Sequence, residues 1–407
     1  MKNAIFLNAA TKIGYKICRD AIWDNDRCNW LSPNVEDING YPKTYFQALG
    51  NDFYGGTTGI AFFLTALYEA QPDEIFRETV MAAFRQAASQ LPKIIDTAQL
   101  GFHTGITGFA FVAMYMGEVF DNENYTKIAL AEIEKLTQIN IATSGIDVID
   151  GCAGALPVLI LIQKKHPSEN LKNFITAIGK HLVEIAEKKE IGWSWNTIGQ
   201  QGNNLTGYAH GVAGIGTALL EMQIFTKDNQ YLEAAMQGFA YENHFFSLKH
   251  QNWPDFRSFA QQPNSEPSYA CGWCHGAPGI GLARLRAYEI TKNESYRKDA
   301  EIAIQTTLKH NSFEQISNFS LCHGLFGNAE LLLYGSEILQ ENNLRKSAES
   351  IAEFGIKCFL DEQTPFPNGL NNPFDSPDFM LGSAGMGYFY LRLFDSKRFK
   401  SVLISGS

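Results

Sequence analysis

One pattern of apolar and polar positions recurs seven times along the chain. Each time, a Gly-x-x-Gly pair opens a short segment that is apolar nearly all round, as in Ile60-Ala-Phe-Phe-Leu, Phe109-Ala-Phe-Val-Ala-Met and Ile280-Gly-Leu-Ala-Arg-Leu. The pairs are Gly56/Gly59, Gly105/Gly108, Gly151/Gly154, Gly211/Gly214, Gly276/Gly279, Gly324/Gly327 and Gly382/Gly385, and successive pairs lie 46 to 65 residues apart. Periodicity alone does not separate a buried helix from a buried strand in runs this short. The stretches between them decide it. Phe76-Arg-Glu-Thr-Val-Met-Ala-Ala-Phe-Arg-Gln-Ala-Ala is amphipathic at helical spacing, and so are Glu169 to Lys188, Asn229 to Tyr241 and Ser295 to Leu308. β-branched alternation is rare. The repeating unit is therefore a buried helix followed by an amphipathic one.

A fixed period of this size marks a repeat architecture. A linear solenoid ends in atypical, polar capping repeats. Here the first and last repeats keep the Gly-x-x-Gly pair and are as apolar as the rest. The pattern predicts closure into an all-α (α/α)7 toroid, with seven inner and seven outer helices. Glycines suit the mouth of such a ring, where backbone turns approach closely and positive φ is tolerated. No Pro/Gly/Ser-rich linker interrupts the series, so residues 1–407 read as a single domain.

Composition narrows the function. With 45% hydrophobic residues, the chain can bury a large core. Its net charge is -10 and no basic stripe stands out, which argues against a nucleic-acid partner. No apolar run is long enough to span a membrane. The opening MKNAIFLNAATKIG lacks a long apolar core, and a helical pattern runs straight through it, so no signal peptide is expected. Seven cysteines, an odd number spread over a large chain, do not form a disulfide framework. A reducing, cytoplasmic location is expected.

Three of the glycine turns carry reactive side chains. The fourth reads Gly207-Tyr-Ala-His210-Gly211, the fifth Cys271-Gly-Trp-Cys274-His275-Gly276 and the sixth Leu321-Cys322-His323-Gly324. A ring would bring all three to one mouth. Zinc favours thiolate and imidazole ligands in a tetrahedral set. Cys274, Cys322 and His323 would supply three, leaving the open fourth position of a catalytic site. Other readings of the same residues are buried cysteines filling a core, a Cys271-x-x-Cys274 redox pair and a closed Cys3His structural zinc that uses Cys271.

The chain also resembles the lanthionine synthetase C-like proteins, and within them the cyclase portion of type 2 lanthipeptide synthetases. The motifs that carry the likeness run from about Ile13 to Leu393. They are Ala48-Leu-Gly-Asn-Asp-Phe-Tyr-Gly-Gly-Thr-Thr-Gly59, Leu205-Thr-Gly-Tyr-Ala-His-Gly211, Asn252-Trp-Pro-Asp-Phe-Arg257, Trp273-Cys-His-Gly-Ala-Pro-Gly279, Leu321-Cys-His-Gly-Leu-Phe-Gly-Asn328 and Phe379-Met-Leu-Gly-Ser-Ala-Gly385. The resemblance implies an α/α toroid with zinc at its mouth, held by Cys274, Cys322 and His323. It implies His210 as catalytic acid/base, assisted by Asp147 of Ile146-Asp-Val-Ile-Asp-Gly151, with Trp273 and His275 lining the substrate pocket. Asp150 could take the part given to Asp147, and His103 reads as structural. In one departure, Ala270 stands where stand-alone relatives often carry arginine, so that charge is either absent or supplied elsewhere, by Arg257 or Arg284.

The implied reaction joins a peptide cysteine to dehydroalanine or dehydrobutyrine in a thioether ring. The implied partners are a dehydrated precursor peptide and a separate dehydratase. Rival readings are a zinc protein that binds glutathione or peptides without cyclising them, and a toroid enzyme of another class, a prenyltransferase or glycosidase. The prenyltransferase would need basic residues at the turns, which are few. The glycosidase would leave the Cys/His cluster unexplained.

Overall fold

The computed structural model describes residues 3–38, 41–257, 266–311, 318–370, 372 and 374–404. Seven inner helices each begin at a Gly-x-x-Gly pair: α2 (Thr57–Ala70), α4 (Ile106–Val119), α6 (Cys152–Lys165), α8 (Val212–Thr226), α10 (Ala277–Thr291), α12 (Leu325–Ile338) and α14 (Ser383–Phe394). They are buried on nearly every side, which is why their sequences lack a polar face. Seven outer helices wrap them: α1 (Ala4–Arg19), α3 (Glu74–Gln90), α5 (Glu123–Leu136), α7 (Glu169–Glu184), α9 (Asn229–His244), α11 (Glu294–His310) and α13 (Asn342–Gly355). The predicted toroid is what forms.

The chain closes the ring with its own two ends. Six inner helices are followed directly by their outer partners. The seventh, α14, is covered by α1 from the start of the chain, and Asn3 Nδ2 donates to Phe394 O at 2.9 Å. The order of inner helix then outer helix is thus broken once, at this seam, where the outer face of α14 is buried by α1.

The two helix sets start differently. Five outer helices have side-chain N-caps, from Asp73, Asn122, Ser168, Asp228 and Asn293. Inner helices have none. In six of the seven, the first N–H is taken by a carbonyl seven residues back: Thr57 by Gly50, Ile106 by Gln99, Cys152 by Gly145, Val212 by Leu205, Leu325 by Asn318 and Ser383 by Ser376. This wraps each turn tightly over its helix.

The tight wrap explains the second glycine of each pair. A Cβ there would lie only 1.8 to 2.2 Å from the carbonyl oxygen six residues earlier in all seven repeats. Close approach, rather than positive φ, is the general reason for these glycines. Among the paired glycines, only Gly276 has φ in the left-handed region, at 88°. Gly154→Ala, whose Cβ would meet Val148 O at 2.0 Å, is expected to destabilise the fold by about 2 kcal/mol or more. A lower urea midpoint at unchanged slope would register this.

Departures from the sequence reading are local. The helix expected to run to Lys188 stops at Glu184, and Glu187–Lys189 (β5) pairs with Gly192–Ser194 (β6) instead. Gly192, at φ 120°, makes that turn. Two more hairpins follow α1: Ile22–Asp24 (β1) with Arg27–Asn29 (β2), and Leu31–Ile38 (β3) with Tyr41–Ala48 (β4).

Candidate metal centre and mouth of the toroid

The seven glycine turns are stitched together by main-chain hydrogen bonds that run full circle. Tyr54 N donates to His103 O (2.9 Å), His103 N to Ile149 O (3.2 Å) and Val148 N to Ala209 O (3.1 Å). Ala209 N donates to Cys274 O (3.3 Å), Cys274 N to Cys322 O (3.2 Å), Cys322 N to Met380 O (3.1 Å) and Met380 N to Tyr54 O (2.8 Å). The candidate site residues therefore occupy equivalent repeat positions. Cys274 and Cys322 both stand two residues before the first glycine of their pair. His210, His275 and His323 all stand one residue before it. The residues three before it, among them Phe53, Phe102, Tyr208, Trp273 and Phe379, pack their rings into the centre of the ring of helices.

Turns five and six bring the predicted ligands together. The ligand atoms of Cys274, Cys322 and His323 all lie within 4.8 Å of one another. His323 Nε2 donates to Gly369 O at 3.1 Å, which leaves Nδ1 with the lone pair. The hydrogen bond from Cys322 holds the Cys274 thiol well below the ordinary range, with His323 adding to the effect. The same hydrogen bond pushes Cys322 well above it. His323 is raised, first by its hydrogen bond to Cys274. Two neighbouring sulfurs that cannot both ionise next to each other, one on buried Cys322 and one on partly buried Cys274, beside an imidazole with a free lone pair, are a donor set that a divalent cation would neutralise. The residues fit zinc.

Cys271 is not part of this set. Its thiol turns to Thr307 on α11, and burial pushes it up to about 12. Among the described residues, the Cys274, Cys322 and His323 group is the cluster suited to a metal.

Across the mouth, turns three and four bring Asp147 to His210. Asp147 Oδ2 lies 2.5 Å from His210 Nδ1, while its Oδ1 accepts from Asp150 N at 2.8 Å. The second bond is a repeat feature: Asp52 takes Gly55 N and Asp378 takes Leu381 N in the same way. Asp147 uses one oxygen to shape its turn and the other to hold the histidine. Asp150 faces Thr104 Oγ1 instead, at 2.7 Å. The side chain of His210 is 30% exposed, against 6% for Asp147. Burial alone would lower the His210 pKa, but the hydrogen bond and charge of Asp147 outweigh it and leave it raised. The turn that carries His210 is braced from beneath by Glu242, whose Oε1 accepts from Gly207 N (2.9 Å) and Ala213 N (3.1 Å).

Trp273 and His275, expected to line the pocket, are enclosed. Trp273 is 0% exposed, and its Nε1 donates to Leu403 O of the C-terminal segment at 2.8 Å. It supports the Cys274 turn from inside because its repeat position points into the ring. His275 is 1% exposed, stacks at 6.2 Å on His210 and lies 3.9 Å from Asp255 Oδ1. His103 is fully buried among aromatic rings, with its pKa pushed down by burial to about 3, as suits a structural residue.

Of the two candidates for the arginine absent at Ala270, Arg284 is fully buried on α10 and bound to Glu242 at 2.9 Å. It supports the His210 turn through that carboxylate. Arg257 is held by Asp255 at 2.6 Å, and the hydrogen bond and charge of that carboxylate raise its pKa against the effect of burial, with smaller contributions from nearby Cys274 and Cys322. Sequence reasoning did not single out Glu242 or Gly369. An acid on an otherwise apolar face of α9 is the signal that could have found the first. Gly369 acts through its carbonyl and leaves no side-chain trace.

Fold and site together define an α/α toroid with a Cys2His cluster suited to a metal at its mouth. Residues 47–404 match the family described as lanthionine synthetase C-like protein. The chain belongs to that family. It is 25% identical over 393 residues to the lacticin 481/lactococcin biosynthesis protein LcnDR2 of Lactococcus lactis subsp. lactis, a match covering 93% of this chain but only 39% of that protein. It is 25% identical over 330 residues to the nisin biosynthesis protein NisC of the same subspecies, covering 74% of this chain and 77% of that one. Among solved structures, nisin cyclase superposes with a TM-score of 0.68 at 20% identity, over 87% of this chain and 92% of the other. The GH76 α-mannanase BT2949 of Bacteroides thetaiotaomicron superposes with a TM-score of 0.51 at 12% identity, over 97% and 96%. These structural likenesses speak to the fold, which carbohydrate-active enzymes share.

Proposed function

We propose that this chain is a zinc-dependent peptide cyclase that adds cysteine thiols to dehydroalanine or dehydrobutyrine, closing lanthionine or methyllanthionine rings. The observation that carries the reading is the pairing, at one mouth, of a three-ligand Cys2His set with an Asp147-held His210. Cys274, Cys322 and His323 would hold zinc, which when bound supplies deprotonation of the incoming peptide thiol at neutral pH. The peptide sulfur bonds to the β-carbon of the dehydro residue, and the alkene electron pair moves to the α-carbon. His210, whose pKa Asp147 raises against the effect of burial, delivers a proton there from its imidazolium form. Asp147 fixes its ring and keeps it charged. Arg257 is placed to stabilise negative charge near the thiols. The sum is an isomerisation with no change of mass.

The reading takes residues 1–407 as one catalytic unit. It implies a dehydrated precursor peptide as substrate and a dehydratase to make it. Among the described residues, no helix is long and apolar enough to cross a membrane. All seven cysteines are free, which suits the cytoplasm, where they would stay reduced.

The test is incubation of the purified protein with a peptide carrying dehydroalanine and cysteine, followed by thiol alkylation and mass spectrometry. Ring closure hides the cysteine at constant mass. Full alkylation after incubation, with saturable binding of glutathione or peptide, would favour the binding-protein reading instead. Because the core is large and helical without a metal, chelation should leave the helical circular-dichroism signal intact while removing ring formation. Loss of helicity on chelation would mark a structural zinc.

A further inference from the structure

The β3–β4 hairpin stands beside the mouth and is pinned there. Ser32 Oγ and Ser376 Oγ are 2.9 Å apart, and Phe46 meets Phe374 edge-on with ring centroids 5.2 Å apart. These partners follow Gly369, whose carbonyl holds His323. From Ala48 the chain passes through Leu49 to Gly50, whose carbonyl receives Thr57 N at the first mouth turn (2.9 Å). The family match begins at residue 47, so most of the hairpin precedes it.

Among the described residues, β4 pairs with β3 alone. The direction of its main-chain groups follows from the register. Leu49 N donates to Trp30 O at 3.0 Å, one step beyond the Leu31–Ala48 pair. In an antiparallel ladder, alternate residues turn both N–H and C=O toward the partner, and those between turn both away. Leu49, Gln47, Tyr45 and Lys43 therefore face β3. Ala48, Phe46 and Thr44 offer their groups to the open side. Pro42, next in that series, has no N–H, so the row of donors ends there. Ala48, Phe46 and Thr44 are all exposed. Phe46 at 50% and Tyr45 at 40% add aromatic surface beside them. The edge is open near the mouth and closed at the far end.

An open edge of this kind is a template for an extended chain. Pro42 and Lys43 are the residue types that discourage edge-to-edge pairing of copies, and the open stretch abuts the mouth. We infer that the outer edge of β4 binds an extended segment of the peptide substrate by strand addition, next to the residues that react at the metal centre. The inference rests on the cyclase reading above. Main-chain bonds supply affinity with little demand on sequence, and Phe46 favours apolar residues at alternate positions of the bound segment, those on its own face.

The experiment uses two kinds of test peptide with the same dehydroalanine-and-cysteine unit. One is the short unit alone. The other carries an extension of alternating threonine and valine, at the N-terminus in one version and the C-terminus in a second. One of the two extensions should lower KM by about tenfold, with kcat unchanged. Thr44→Pro removes an outward donor and leaves the ladder to β3 intact. It should abolish that tenfold advantage, while the short peptide keeps its KM and kcat and the protein keeps its helical signal. N-methylation at alternate residues of the effective extension should abolish the advantage with the unaltered protein. If neither extension lowers KM, or if Thr44→Pro or N-methylation makes no difference, strand addition is overturned and the cyclase reading stands. If the short peptide is not cyclised at all, the cyclase reading fails and the inference with it. A dimer in sedimentation that Thr44→Pro dissociates would assign the edge to a second copy and overturn the inference.

Discussion

Cys322→Ala should strip the stoichiometric zinc from the purified protein and slow ring formation by about 10³-fold or more. Two losses combine. An unassisted cysteine is mostly protonated at neutral pH, so only a few per cent of the peptide thiol would be nucleophilic. The thiol would also lose its fixed place beside the dehydro residue, and positioning alone can exceed the ionisation effect. The ligand atoms of Cys274, Cys322 and His323 lie within 4.8 Å of one another, so removing any one leaves a two-ligand remnant. Cys274→Ala and His323→Ala should behave alike. Cys271→Ala is the control: its thiol turns to Thr307, so zinc content and rate should match those of the unaltered protein. Metal analysis by mass spectrometry and the alkylation assay read the two effects separately. Equal zinc loss in Cys271→Ala would mean a closed Cys3His site, and the open-site chemistry would fail.

Much of this architecture was legible in the chain because the repeat writes the same steric demand seven times. Each second glycine sits where a Cβ would strike a carbonyl, so the Gly-x-x-Gly series marks the start of every inner helix. The placement of Cys274, Cys322 and His323 one or two residues before those glycines then placed them at one mouth. What escaped was whatever depends on pairing across the chain. The seam between α1 and α14 joins opposite ends of the sequence, and no local pattern records it. The β3–β4 hairpin is exposed along most of β4, so it lacks the alternation that burial imposes on a strand. Trp273 and His275 flank Cys274 in sequence, but neighbouring positions of a tight turn point in different directions. The tryptophan is buried against the C-terminal segment and the histidine behind His210. The choice between Asp147 and Asp150 needed coordinates too, since both precede the same glycine and only one reaches His210.

His210→Ala should retain zinc and fold and lose about 10²–10⁴-fold in ring-closure rate, the usual worth of a positioned acid/base. Residual turnover should persist, because the metal ligands remain to activate the thiol and water can protonate the α-carbon slowly. The pH profile distinguishes this role from a structural one. His210 has a raised pKa because Asp147 overrides the effect of burial. The imidazolium that donates the proton is therefore fully formed below that raised value, and the rate should fall as pH rises through it. Asp147→Asn keeps a side chain that can still shape the turn but removes the charge. Burial then dominates, the histidine pKa drops, and the alkaline limb should move to lower pH, with a reduced rate at neutrality. On the acid side both proteins should share one limb, where protonation of the Cys and His ligands releases the metal. Measured as kcat against pH, an alkaline limb that stays in place in Asp147→Asn, or a His210→Ala variant that cyclises at the unaltered rate, would remove the pair from the chemistry. Asp147 would then be left with its Asp150 N–H bond and the same turn-shaping part that Asp52 and Asp378 play in their own repeats.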